Sequence, residues 1–75
     1  MEIKHPSVSA NDLGHFLLNS ALALLRNGAG SSRIALTCKR IALAYGFDIE
    51  TDLRPRSVMV SLFDSAGKLS FSETR

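Results

Sequence analysis

Residues 46–63 read Gly46-Phe47-Asp48-Ile49-Glu50-Thr51-Asp52-Leu53-Arg54-Pro55-Arg56-Ser57-Val58-Met59-Val60-Ser61-Leu62-Phe63, and at Gly46 the spacing of apolar residues drops from about 3.6 to about 2. Phe47, Ile49, Thr51 and Leu53 alternate with Asp48, Glu50 and Asp52, the pattern of a half-buried strand whose other face is acidic and wet. Proline cannot donate to a ladder, so Arg54-Pro55-Arg56 ends that strand and Ser57 to Phe63 forms a second. This second run is apolar on both faces: Val58, Val60 and Leu62 lie on one, Met59 and Phe63 on the other. Asp64-Ser65-Ala66-Gly67 reads as a turn with Asp first and Gly last, and Lys68 to Ser72 as a third strand with Leu69 and Phe71 sharing a face.

Upstream of Gly46 the period is helical. Asn11-Asp12 signals an N-cap, and Leu13, Phe16, Leu17, Ala21 and Leu24 recur at intervals of three and four, widened by Leu18, Leu22 and Leu25. This predicts a helix from about Asp12 to Arg26, preceded by an arm over residues 1–11. Gly28-Ala29-Gly30 supplies an open backbone for a tight turn, and Ser31-Ser32 a capping hydroxyl for a second helix. That helix carries Ile34, Cys38, Ile41 and Tyr45 on its apolar stripe, flanked by Leu36, Ala42 and Leu43, and Gly46 takes the position just past its end. The expected fold class is therefore α+β: two antiparallel helices followed by a small three-stranded antiparallel sheet, all within residues 12–75.

Seventy-five residues with 45% hydrophobic and 21% charged composition exclude disordered, collagen-like and coiled-coil readings and leave room for one small domain. So short a chain buries only about 60% of its unfolded surface, too little for a deep enclosed active site, and no enzyme is expected. The single cysteine, Cys38, excludes an internal disulfide or a cysteine-based zinc cluster and reads as a small buried hydrophobe. Nine basic against seven acidic residues, spread without blocks, give a net charge of +2, too weak a bias to imply nucleic acid. The apolar run Leu13 to Leu25 is interrupted by Gly14, His15, Asn19 and Ser20 and is too short to cross a bilayer.

Few constellations could carry chemistry. The histidines are His5, in the arm, and His15, in the first turn of the first helix, and neither has an evident catalytic partner in the sequence. Strict alternation puts Asp48, Glu50 and Asp52 on one strand face, where solvation explains them better than a metal does; no metal and no cofactor are expected. The segment Gly28, Ala29, Gly30, Ser31, Ser32, Arg33 places free N–H groups, hydroxyls and a guanidinium at a helix start, a candidate anion-binding turn. Arg54 and Arg56 could touch phosphate or lipid head groups. Two helices cover one face of a three-stranded sheet, so Met59 and Phe63, with Arg54 and Arg56, are the expected interaction surface.

Leu24-Leu25-Arg26-Asn27-Gly28-Ala29-Gly30-Ser31-Ser32-Arg33-Ile34 resembles the pattern Leu-Leu-x-x-Gly-Ala-x-x-x-Arg-Val of the threonine/serine exporter family of bacterial membrane proteins. Arg40 to Gly46 is similar to that family's second helix and its terminal glycine, and Leu53 to Leu62 to its Val-Thr-Pro-Thr-Gly-hydrophobic run with the following Ser-Leu. Thr74-Arg75 resembles the Thr-Arg after its last strand; two departures are Ala35, where members often have Glu, and Ser57, after the Pro-Thr position. The resemblance spans Leu13 to Arg75. It implies a soluble N-terminal region on the cytoplasmic face of the bacterial inner membrane. The membrane helices that follow would export threonine and serine, or succinate in related members. Expected partners are that transmembrane region, a partner membrane subunit or a second copy. The alternative is a free-standing module that binds small anions or nucleic acid through Arg33, Arg54 and Arg56; a third reading is a regulatory domain that senses threonine or another carboxylate at the Gly28–Arg33 turn.

Overall fold

A computed structural model describes residues 8–75; residues 1–7 of the expected arm, His5 included, lie outside the described residues. The chain forms α1 (Ala10–Arg26), α2 (Ser31–Ala44), β1 (Asp48–Arg54), β2 (Ser57–Phe63) and β3 (Leu69–Thr74). The strands make one antiparallel sheet in the order β1-β2-β3, with α1 laid over β2 and β3 and α2 over β1. This is the expected two-layer α+β arrangement.

Local chemistry accounts for each boundary. Helix α1 begins two residues before the expected Asp12, because the Ser9 hydroxyl accepts from the Asp12 amide at 3.1 Å and holds the first turn. Both helices end alike. In α1 the Ala29 amide donates to the Leu24 carbonyl and the Gly28 amide to Leu25, while in α2 Phe47 donates to Ala42 and Gly46 to Leu43. Such paired bonds need a left-handed residue just past the helix, and Gly28 (φ 81°) and Gly46 (φ 83°) supply it. Gly30, by contrast, has φ −69° and is the N-cap of α2; no side chain caps this helix, so the expected Ser31 or Ser32 cap does not form, both serines lying inside the first turn.

The β1–β2 hairpin closes through Pro55-Arg56, with Arg54 opposite Ser57. Proline's fixed negative φ and the absence of positive φ at any described non-glycine residue exclude the primed turns and type II. At the β2–β3 turn the Asp64 carboxylate accepts from the Ala66 and Lys68 amides at 2.9 and 3.0 Å, and Gly67 takes φ 78°, as the sequence predicts. The third strand runs to Thr74 rather than Ser72, and the flanking Arg75 exchanges both backbone bonds with Val58.

The core lies between the layers: Leu13, Leu17, Leu18 and Ala21 of α1, Ile34, Cys38 and Ala42 of α2, Val58, Val60 and Leu62 of β2, and Phe71 of β3. Phe71 sets how α1 sits. Its ring rests on Gly14, where a Cβ would overlap ring atoms Cγ, Cδ1 and Cε1, so the glycine admits the aromatic against the helix backbone. Seating α1 on its Gly14–Leu18 side turns Phe16, expected in the stripe, outward to 56% exposure. A second expectation fails at β3. A bulge between Leu62 and Phe63 sets Leu62 against Phe71 but Phe63 against Leu69, so Leu69 parts from Phe71 and stands exposed.

Candidate functional site

The interhelical turn gathers five predicted residues at one end of the molecule. Gly28, Gly30, Ser31, Ser32 and Arg33 are all exposed, and the first intrahelical bond of α2 runs from the Ile34 amide to the Gly30 carbonyl at 3.1 Å. The amides of Ser31, Ser32 and Arg33 thus precede the ladder, where the helix dipole is positive. Arg33 lines an open cleft with Asn27, Gly28, Ala29 and Thr37, and the Thr37 hydroxyl donates to the Arg33 carbonyl at 2.9 Å, leaving the guanidinium in solvent. Such a turn can attract an anion; it holds no deep cavity.

The other predicted surface is the face of the sheet turned away from the helices. Register places three cross-strand rows there: Asp52, Met59 and Thr74; Glu50, Ser61 and Ser72; Asp48, Phe63 and Leu69. Met59 and Phe63 are half-buried while Asp48, Glu50 and Asp52 are exposed, so the β1 edge is the acidic, solvated face the alternation predicted. The middle of this face is polar. Ser61 and Ser72 share a hydroxyl hydrogen bond of 2.9 Å, which satisfies the buried Ser61 and divides the apolar surface into a Met59 end and a Phe63–Leu69 end. Arg54 and Arg56 flank Pro55 at the Met59 end, and Arg54 Nε donates to the Asp52 carboxylate at 3.1 Å.

Two arrangements escaped the sequence reading. His15, half-buried on α1, meets the Phe71 ring edge-on at 5.3 Å, and its Nδ1 lies 3.5 Å from Glu73 Oε2 and 3.2 Å from Arg75 Nη2. Arg75 also reaches Asn19 Oδ1 at 2.6 Å and Glu73 Oε2 at 3.2 Å. Glu73 Oε2 is buried without a well-angled hydrogen bond, and its neighbours are the Arg75 guanidinium and the His15 ring. The signal was present: Glu73 shares Phe71's strand parity, and His15 and Asn19 are one helical turn apart. The second arrangement is a mainly apolar groove between the helices, lined by Val8, Leu13, Phe16, Ile41, Ala44 and Tyr45 with Asp12. Cys38 is buried and its thiol pKa is raised above the ordinary value of 9.0 by desolvation, as for a core residue. Among the described residues no group of three or more His, Cys, Asp and Glu side chains is placed to hold a metal, and no helix is long and apolar enough to cross a membrane.

Fold and surface together define a two-layer α+β domain with a cationic turn and one sheet face left open. Residues 15–75 match the profile of the family ThrE, described as "Putative threonine/serine exporter", and the chain belongs to that family of transport proteins. No curated protein and no solved structure matches the chain.

Proposed function

We propose that this chain is the cytosolic N-terminal domain of a bacterial inner-membrane exporter for threonine and serine, or for a related organic acid, and that it serves assembly or regulation rather than chemistry. The observation that supports this most directly is β2, fully buried at Val58, Val60 and Leu62 and only half-buried at Met59 and Phe63. A strand of this kind favours a further layer over its outer face. In this reading Met59, Phe63, Arg54 and Arg56 face the transmembrane region of the same polypeptide or a partner membrane subunit. The transport path lies outside residues 8–75.

The test is the size and fraction of the native protein in its own cells, followed with an antibody against the domain. A band well above 8.1 kDa in the inner membrane supports the reading, and a soluble band near 8.1 kDa overturns it. Within the full-length protein, Met59→Asp and Phe63→Asp are then expected to lower assembled transporter on native gels without unfolding the domain.

A further inference from the structure

Between Leu13 and Phe47 the chain contains no aspartate or glutamate, so beyond Asp12 in the first turn of α1 the aspartate, glutamate, lysine and arginine residues of the helix layer are all cations: Arg26, Arg33, Lys39 and Arg40. The fold then adds two more cations at one end of that layer. Helix α1 ends and α2 begins at the same end of the domain, and a single cleft lined by Leu22, Leu25, Arg26, Pro55 and Arg56 joins this end to the β1–β2 hairpin. Arg26 and Arg56 share that cleft, and Arg33 in the first turn of α2 and Arg54 at the end of β1 lie at the same end of the domain, all four exposed. Asp52 is paired with Arg54, while the guanidinium groups of Arg26, Arg33 and Arg56 make no hydrogen bond or ion pair among the described residues. The opposite end differs in sign. The cleft there sets Asp48, Glu50 and Asp64 against Lys39. A net charge of +2 is thereby separated into a strongly cationic pole and a mildly anionic one.

We propose that the arginine pole docks on the anionic phospholipid headgroups of the membrane that holds the transporter. Arginine forks match phosphate oxygens, and three unpaired guanidinium groups present them without first breaking an internal ion pair. The half-buried Leu22 and Leu25 and the exposed Pro55 between Arg26 and Arg56 give the cleft an aliphatic lining suited to the headgroup region. A nucleic-acid surface would want aromatic platforms for stacking, and Tyr45 and Phe47 lie at the other end, half-buried beside Ile41 and Asp48. Membership of a transporter family supplies a bilayer next to the domain. This assignment leaves Met59 and Phe63 to the protein partner proposed above and gives Arg54 and Arg56, at the edge of that surface, to the lipid headgroups instead.

The experiment is cosedimentation of the 75-residue chain with vesicles of equimolar phosphatidylglycerol and phosphatidylcholine, and with phosphatidylcholine alone, at physiological salt. Binding to the anionic vesicles alone is expected. Each of Arg26→Gln, Arg33→Gln and Arg56→Gln should weaken it about fivefold, the loss of one juxtamembrane cation, with unchanged circular dichroism. Lys68→Gln, at the opposite turn, should leave it unchanged. Equal partition onto both vesicle types, no partition, or an equal loss in Lys68→Gln overturns the proposal. So does tighter binding to a DNA duplex at the same salt, which would assign the pole to nucleic acid. Concentration-dependent self-association abolished by the same arginine substitutions would assign it to the acidic end of a second copy, and likewise overturns it.

Discussion

Along β2, Val58, Val60 and Leu62 have no exposed surface beneath the helices, whereas Met59 and Phe63, one position away on the same strand, stay half-buried. The side chains are of similar hydrophobicity, so the difference comes from the layer above them. On the inner face Phe71 and the α1 leucines close over the valines; on the outer face the neighbours are Asp48, Glu50, Asp52 and the Ser61–Ser72 pair. Burial of apolar area stabilises the fold only where a second layer removes it from water. The inner face therefore holds the domain together, and the outer face is free to serve something else.

The sharpest way to break this contrast is a charge on each face. Val60→Asp should cost more than about 4 kcal/mol and leave the domain unfolded at room temperature, since it strands a carboxylate in the core. Met59→Asp should cost less than about 1 kcal/mol, because its carboxylate remains at a wet surface. Urea denaturation followed by circular dichroism reads both, and equal losses would mean that both faces are core. The next test is Gly14→Ala on the inner face. Helix propensity alone would gain about 1 kcal/mol, but overpacking against Phe71 should turn this into a net loss of about 1–3 kcal/mol, recovered in part by Phe71→Leu. A gain in Gly14→Ala would show that Phe71 moves aside easily.

Two smaller effects refine the picture of the inner face. Because burial raises the Cys38 pKa, the folded state keeps the thiol protonated while the unfolded chain ionises near 9.0, so stability present below that pH is lost as pH rises towards the folded value. Cys38→Ala should flatten this part of the pH–stability curve, and alkylation of native Cys38 should be at least about tenfold slower than in denaturant. At the rim of the inner face, Glu73→Gln should change stability by no more than about 1 kcal/mol, since the side chains of His15, Glu73 and Arg75 are each more than a third exposed to screening solvent. A larger loss by calorimetry would mean that the cluster anchors β3 to α1.

The elements were legible because their signals are local. The change of period at Gly46, the alternation in Phe47 to Leu53, the proline between two arginines and the Asp64–Gly67 turn each depend on a few adjacent residues, and the structure reproduces all of them. The candidate sites were legible in part. Arg33 and Arg56 could be named as exposed cations, yet nothing in their spacing says that they share an end with Arg26, because that requires the antiparallel return of α2 and the placement of a hairpin under α1. Phe16 and Leu69 were misassigned for the same reason: a stripe wider than half a helix does not say which edge meets the sheet, and a one-residue bulge reverses strand parity.

What the sequence by itself determined is the order and type of the elements, the inner face of β2 and the family, all carried by short-range pattern and backbone preference. Only the tertiary structure decided the rotation of α1 onto Gly14, the joining of His15 to Arg75 across 60 residues and the gathering of four arginines at one pole. The physical reason is that periodicity is fixed by the dihedral angles of neighbouring residues, whereas these contacts depend on how two finished layers fill the space between them, and steric fit at Phe71 selects one arrangement.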